Sequence, residues 1–312
     1  MNLKEIQIRD PFVLPHTESG VYYLFGSTDK NIWNGPGTGF DFFRSRDLLH
    51  WEGPIPAFRP NPDFWATSQF WAPEVHLFNG RYFMFATFKA DRRCRGTQIL
   101  ASDHPSGPYT PWTDGPVTPA HWECLDGTLY VDDDGGPWIV FCHEWVQVRN
   151  GAIYAMRLAP DLECAAGPPL LLFNASEAPW VRWLHPSHDE ETPGSERPIF
   201  RPPAYVTDGP FLHKTQGGAL LMLWSSFGTK GYAMGIARSL TGAVEGPWTH
   251  EPEPLWAEDG GHGMVFRAFD GRLLLTFHQP NDTPNERAIF HDLTEQRDSI
   301  MIGVKIAEDY PD

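Results

Sequence analysis

Three acidic residues, Asp10, Asp126 and Asp208, each stand immediately before a Pro or Gly at the head of a similar stretch of chain, and His262 heads a further one. Gathered in one pocket, such carboxylates suit acid–base cleavage of an acetal. One, ionised, activates water; another, kept protonated by its surroundings, gives its proton to the leaving oxygen. The third charge raises the acid's pKa and holds it in place, because neighbouring like charges resist ionising together. For any one of them the plainer reading is an Asp that caps a turn. Recurrence at one position of a repeat argues against that reading for the set.

The elements that would carry these residues show in the repeat itself. Five segments share an anchor beside Pro or Gly, an alternating strand, a Gly- or Asp-rich turn and a strongly apolar second strand. They begin at Asp10-Pro11-Phe12, Ala72-Pro73-Glu74, Asp126-Gly127-Thr128, Asp208-Gly209-Pro210 and His262-Gly263-Met264. Anchor and second strand are 10 to 12 residues apart in every case. The turns, such as Asn79-Gly80 and Asp270-Gly271, carry residues that tolerate positive φ in tight hairpins. Radial repetition of four-stranded units makes a β-propeller, so the sequence predicts an all-β, five-bladed β-propeller with antiparallel blades. Innermost strands of a propeller converge on its axis, which brings the five anchors to one mouth.

A repeat of about 62 residues exceeds the 40–45 of a compact blade, so some blades must carry long loops. The longest unpatterned stretch, residues 174–207, reads as an insertion over one face of a single domain spanning residues 1–312; a linker between domains is the competing reading. Within it, His185, His188, Asp189, Glu190 and Glu191 lie among prolines and read as a solvated loop rather than a zinc site.

Composition agrees. The 312 residues include 13 Trp, 21 Phe, 29 Gly and 30 Pro, a mixture of strand-filling rings and turn punctuation. Trp51, Trp112 and Trp248 recur with the repeats and read as packing. A net charge of −16 disfavours nucleic-acid or anionic-membrane partners, which need a basic footprint. Cys94, Cys124, Cys142 and Cys164 have no Cys-x-x-Cys spacing and read as buried free thiols. The first residues lack a signal peptide's apolar run, and nothing approaches a membrane span. With Met1 as the native start the protein is expected to be cytoplasmic; a secreted or periplasmic protein with its signal peptide trimmed would read the same.

Over essentially its whole length the chain resembles glycoside hydrolase family 43, five-bladed propellers that invert configuration on arabinose- and xylose-containing glycans. Arg9-Asp10-Pro11-Phe12 looks like the first-blade motif, whose Asp is the general base. Trp71-Ala72-Pro73-Glu74-Val75 looks like the second, with its Trp near the sugar. Leu125-Asp126-Gly127 resembles the segment whose Asp tunes and orients the acid. Gly261-His262-Gly263 looks like the fifth-blade motif, and the resemblance implies a structural calcium or sodium ion on the axis near His262, held through water, with no cofactor needed for the chemistry. Asn285-Glu286-Arg287 matches, briefly, the position from which an Arg reaches substrate.

One departure stands out. The family's acid is usually Glu in Glu-Gly-Pro, whereas this chain has Thr207-Asp208-Gly209-Pro210, whose side chain is shorter by about 1.5 Å, one C–C bond. Glu196 and Glu144 are the alternative acids. The resemblance thus implies a glycosidase that releases terminal α-L-arabinofuranosyl or β-D-xylosyl units from an oligosaccharide or polysaccharide by inversion. Asp10 is the expected base, Asp208 the acid and Asp126 its modulator; Trp71, Phe12 and Trp224 are the expected sugar platform, and Arg287 a polar contact. An inverting pair leaves roughly 6.5–9.5 Å for the water. The long insertion favours exo action. The rivals are a galactose- or fructose-directed propeller and a non-catalytic glycan binder; the oligomeric state is open.

Overall fold

The computed structural model describes residues 1–184 and 203–306, and it is the expected five-bladed β-propeller. Each blade is a meander of four consecutive antiparallel strands. Blade I comprises β1 (Arg9–His16), β2 (Val21–Ser27), β3 (Phe40–Ser45) and β4 (Glu52–Phe58). Blade II comprises β5 (Ser68–Phe78), β6 (Arg81–Ala90), β7 (Arg93–Ser102) and β8 (Thr110–Pro111). Blade III runs through β9 (Cys124–Val131), β10 (Pro137–His143), β11 (Ala152–Arg157) and β12 (Leu170–Asn174). Blade IV has β13 (Asp208–Lys214), β14 (Leu220–Gly228), β15 (Gly231–Ser239) and β16 (Trp248–His250). Blade V has β17 (Gly261–Arg267), β18 (Leu273–Gln279), β19 (Arg287–Gln296) and β20 (Ser299–Lys305).

Apolar side chains are buried between neighbouring blades rather than around one centre. Phe40, Phe58, Phe70 and Phe88 interlock between blades I and II, with Phe70 and Phe88 edge to face at 4.9 Å. Leu223, Met234, Leu275 and Phe277 fill the seam between IV and V. This use of rings explains the Phe surplus. Trp51 and Trp248 are buried, and Trp112 packs on Phe83, so the recurrent tryptophans are packing as expected. The ring closes where blade I meets blade V: Ile8 N–H donates to the Glu286 carbonyl, and Tyr22 stacks on Phe269 at 4.1 Å.

Each innermost strand begins with an irregularity that aims side chains at the axis. The β1–β2 register slips between Arg9 and Phe12, and equivalent slips occur at the heads of the other four blades. At the slip one residue takes a left-handed conformation: Asp10 (φ 55), Ala72 (φ 45), Asp126 (φ 55), Gly209 (φ 50) and His262 (φ 55). Such a bulge re-aims a side chain and costs backbone strain, which the surrounding contacts must offset. The repeat alignment is thereby corrected by one residue in blade IV. Gly209, not Asp208, matches Asp10 and Asp126, and Asp208 shares its position with Arg9, Trp71, Leu125 and Gly261.

Two further expectations change. The stretch after β12 is not all surface loop, since Trp180 and Val181 are buried against blade IV. Cys124 and Cys142 are buried free thiols, but Cys94 is half-buried and Cys164 exposed. Among the described residues no helix is long and apolar enough to cross a membrane.

Candidate active site

The bulges converge on a cavity of about 790 Å³ at the mouth of the axis, within the usual size range of small-molecule sites. Asp10, Asp126, Asp208, His262 and Trp71 all line it, so five of the expected site residues come together. Asp10 and Asp126 are buried, and Asp208, one position nearer the mouth, is half-buried.

Hydrogen bonds fix each carboxylate differently. Asp10 Oδ2 accepts from Ser27 Oγ at 2.7 Å, and His262 Nδ1 donates to Oδ1 at 3.1 Å. Asp126 Oδ2 accepts the Gly209 N–H at 2.9 Å and lies 3.7 Å from His262 Nδ1. Asp208 Oδ2 accepts from Tyr232 Oη at 3.0 Å. Below them the Asp10 N–H donates to His278 Nδ1 at 3.3 Å.

These surroundings drive the acids apart. Burial would raise the pKa of Asp10, but the His262 charge and hydrogen bond, with Arg9, outweigh it and hold the carboxyl well below the usual range. Burial raises Asp126 to about 7, with His262 opposing and the charges of Asp208 and Asp10 adding to the rise. Burial also raises Asp208, against the opposing pull of His262, Arg9 and the Tyr232 hydroxyl. His262, although burial lowers it, is lifted to about 9 by Asp10 and Asp126. His278 is pushed down to about 3 by burial and Arg9, so it stays neutral and its Nδ1 can accept. Groups with opposed pKa shifts in one pocket are the mark of an acid and a base.

Trp33, Trp71 and Trp145 line the cavity, and the first two each stand against a guanidinium. Trp71 lies under Arg95 at 4.5 Å, and its Nε1–H donates to the Ile32 carbonyl at 2.6 Å. Trp33, edge-on to Trp71 at 5.4 Å, carries Arg9 over its face at 5.1 Å. Arg95 pairs with Glu144, which lines the cavity. A carboxylate held by a guanidinium is badly placed to give up a proton, so Glu144 is displaced as the alternative acid. Glu196, like the His185 to Glu191 cluster, lies outside the described residues.

Three expected contacts are not in the cavity. Phe12 is buried against His76 and Phe211, because the bulge at Asp10 turns it down into the axis. Trp224 is fully buried among Phe173, Trp180 and His250 in the seam between blades III and IV. Arg287 turns outward and donates to the Lys4 carbonyl at 2.7 Å, helping close the ring. Conversely, Arg9, Trp33 and Tyr232 line the cavity without having been singled out. Arg9 lay inside the first-blade motif and was legible by adjacency to Asp10; Trp33 sits in an unpatterned loop, and Tyr232 heads a third strand with no motif.

The resemblance implies an axial ion held through water near His262, which a set of direct protein ligands does not test. His262 Nδ1 is engaged by Asp10, and no group of three or more His, Cys, Asp or Glu side chains among the described residues could hold a metal. The side chains present therefore do not fit a directly coordinated ion.

Comparison with known proteins bears on this arrangement. A family model described as glycosyl hydrolases family 43 matches residues 4–298. The crystal structure of an endo-arabinase from Bacteroides thetaiotaomicron superposes with a TM-score of 0.85 at 41% identity, covering 96% of this chain and 98% of that one. An extracellular endo-α-(1→5)-L-arabinanase of Thermotoga petrophila is 29% identical over 191 residues, 49% of this chain and 36% of its own length. The α-L-arabinofuranosidase 43 of Humicola insolens is 22% identical over 308 residues, 90% of this chain and 58% of its own length. The chain thus spans less than two thirds of the length of either of these two relatives.

Proposed function

Because the chain belongs to glycosyl hydrolase family 43, we propose that it hydrolyses α-L-arabinofuranosyl linkages of an arabinan-type glycan, with inversion at the anomeric carbon. The observation that carries this reading is the opposite polarisation of Asp10 and Asp208 within one cavity. Asp10, held ionised, takes a proton from water as the water oxygen bonds to the anomeric carbon. The bond from that carbon to the leaving oxygen breaks, and Asp208 protonates the oxygen. Solvent then returns a proton to Asp208 and removes one from Asp10. Asp126 accepts the Gly209 N–H and so fixes the backbone beside Asp208, while burial and the charge of Asp10 keep the acid's pKa high. The side chains supply both proton transfers, so we expect turnover to survive EDTA.

Arabinose is favoured over xylose by the printed name of the 41% identical neighbour, an endo-arabinase, while relatives of lower identity include enzymes named for xylose. Removal of a terminal unit is favoured by the cavity walls, which come from all five blades and suit the end of a chain. Internal cleavage is the second reading, favoured by the name of the 41% identical neighbour. Incubation with linear arabinan, aryl α-L-arabinofuranoside, aryl β-D-xyloside and aryl galactoside, followed by product sizing, tests all of this. We expect arabinose alone from arabinan and phenol from the arabinofuranoside. Ladders of oligosaccharides from the start would transfer the reading to internal cleavage, activity on another sugar would overturn the arabinose assignment, and sugar binding without any turnover would make the protein a binder.

A further inference from the structure

Arg9, which helps hold Asp10 ionised, has a second edge that the mechanism leaves unused. Arg9 is buried at 8% exposure, and it is the one arginine lining the cavity among the described residues. Its Nη1 is tied at 3.3 Å to Glu286, a residue with no exposed surface, and its face lies over Trp33. Glu286 is itself gripped by the Thr283 hydroxyl, whose oxygen also accepts from Trp33 Nε1 at 3.2 Å. One edge of the guanidinium is thus clamped by a carboxylate and one face by an indole. Its Nε stands 3.7 Å from Asp10 Oδ1, beyond hydrogen-bond range, and Nη2 has no hydrogen-bond partner among the described residues. A rigid guanidinium whose free donor edge opens on the cavity can exchange water there for an oxygen acceptor on the sugar.

We propose that Arg9 is a specificity-determining contact that donates to the hydroxyl next to the anomeric carbon of the sugar in the catalytic subsite. The inference rests on the glycosidase reading and deepens it. The reacting carbon must lie one water away from Asp10, and the substituent on the adjacent ring carbon then falls beside Asp10, where the free edge of Arg9 stands. A guanidinium has donors and no acceptor, so it selects an oxygen at that position and rejects a sugar lacking it. Arg287, the arginine expected to serve substrate, faces the outside of the ring.

The test compares an aryl α-L-arabinofuranoside with its 2-deoxy analogue in the wild type, in Arg9→Lys, and in Arg9→Met combined with Glu286→Gln, which avoids stranding a buried carboxylate. Taking the ratio of kcat/KM values between proteins cancels the intrinsic reactivity of the deoxy sugar and any change in Asp10. We expect the preference for the hydroxylated substrate to fall by about 10- to 100-fold in both variants, the range of one charge-assisted hydrogen bond. An unchanged ratio would overturn the proposal. Should the wild type hydrolyse neither, the glycosidase reading fails separately, and titration with L-arabinose and its 2-deoxy analogue decides Arg9. Wild-type discrimination lost in the variants upholds the contact; equal binding of both sugars by the wild type removes it.

Discussion

At the scale of single residues, function follows from how the protein divides charge among three carboxylates. At Asp10 the His262 imidazolium and the Arg9 guanidinium outweigh burial, whereas at Asp126 and Asp208 burial and neighbouring carboxylates outweigh the pull of His262. Asp10→Asn, which keeps the size and loses the base, should lower turnover by about 100- to 10,000-fold while circular dichroism stays unchanged; steady-state assay reads this, and near-normal turnover would remove Asp10 as the base. Asp126 and Asp208 titrate as a pair, so the alkaline limb of kcat/KM reports them jointly. Asp126→Asn leaves one titrating carboxyl where there were two, so the limb set by the last proton of the pair should move to lower pH; a limb that stays put would show that Asp126 takes no part in that titration. Tyr232→Phe should do the opposite, because the phenol hydrogen bond favours ionised Asp208. The three acids and His262 were legible in sequence because they recur beside Pro and Gly. Tyr232 was not, since nothing about a tyrosine at the head of a third strand distinguishes it from packing.

At the scale of elements, the five bulged strand heads are held by their neighbours. The second strand of each blade offers a side chain to the left-handed N–H of the next. Ser27 Oγ accepts from Ala72, Thr87 Oγ1 from Asp126, Ser225 Oγ from His262 and His278 Nδ1 from Asp10, all at 2.8–3.3 Å. The equivalent residue in β10, paired with Leu125, is Cys142, whose thiol is a weak acceptor. There the Gly209 N–H turns instead to the Asp126 carboxylate, which ties Asp126 to the backbone beside Asp208. Cys142→Ser supplies the missing hydroxyl and should compete for Gly209, lowering kcat about 10-fold, whereas Cys142→Ala should leave kcat within twofold; equal kinetics for the two would contradict this account of the lock. The repeat and its turns were legible because alternation and Gly-rich hairpins are local. The one-residue offset at Asp208 was not, because a bulge depends on the partner strand's register. For the same reason Phe12 and Trp224 looked available to sugar, although tertiary packing buries both.

At the scale of the whole molecule, the same charges that suit the chemistry set the pH response of the fold. His262, with a folded pKa of about 9 against about 6.5 unfolded, contributes stability fully below about pH 6.5 and loses it by pH 9. Asp126, raised to about 7 from about 3.9 unfolded, holds its proton longer when folded, so stability falls as pH rises between those values. Asp10 works the other way, its contribution vanishing as pH drops below the ordinary carboxylate range. The melting temperature should therefore peak in the mildly acidic region and decline toward pH 9, with Asp126→Asn flattening the decline; a melting temperature that rises steadily from pH 5 to 9 would refute the charge assignments. The ring arrangement accounts for the length and the Gly and Pro surplus read from composition, while the wall around the cavity, built from loops, was beyond any periodic signal. The most direct test of the account is proton NMR of the first sugar released from an α-L-arabinofuranoside, recorded before mutarotation. Single displacement between Asp10 and Asp208 predicts the β-anomer first; initial release of the α-anomer would contradict it.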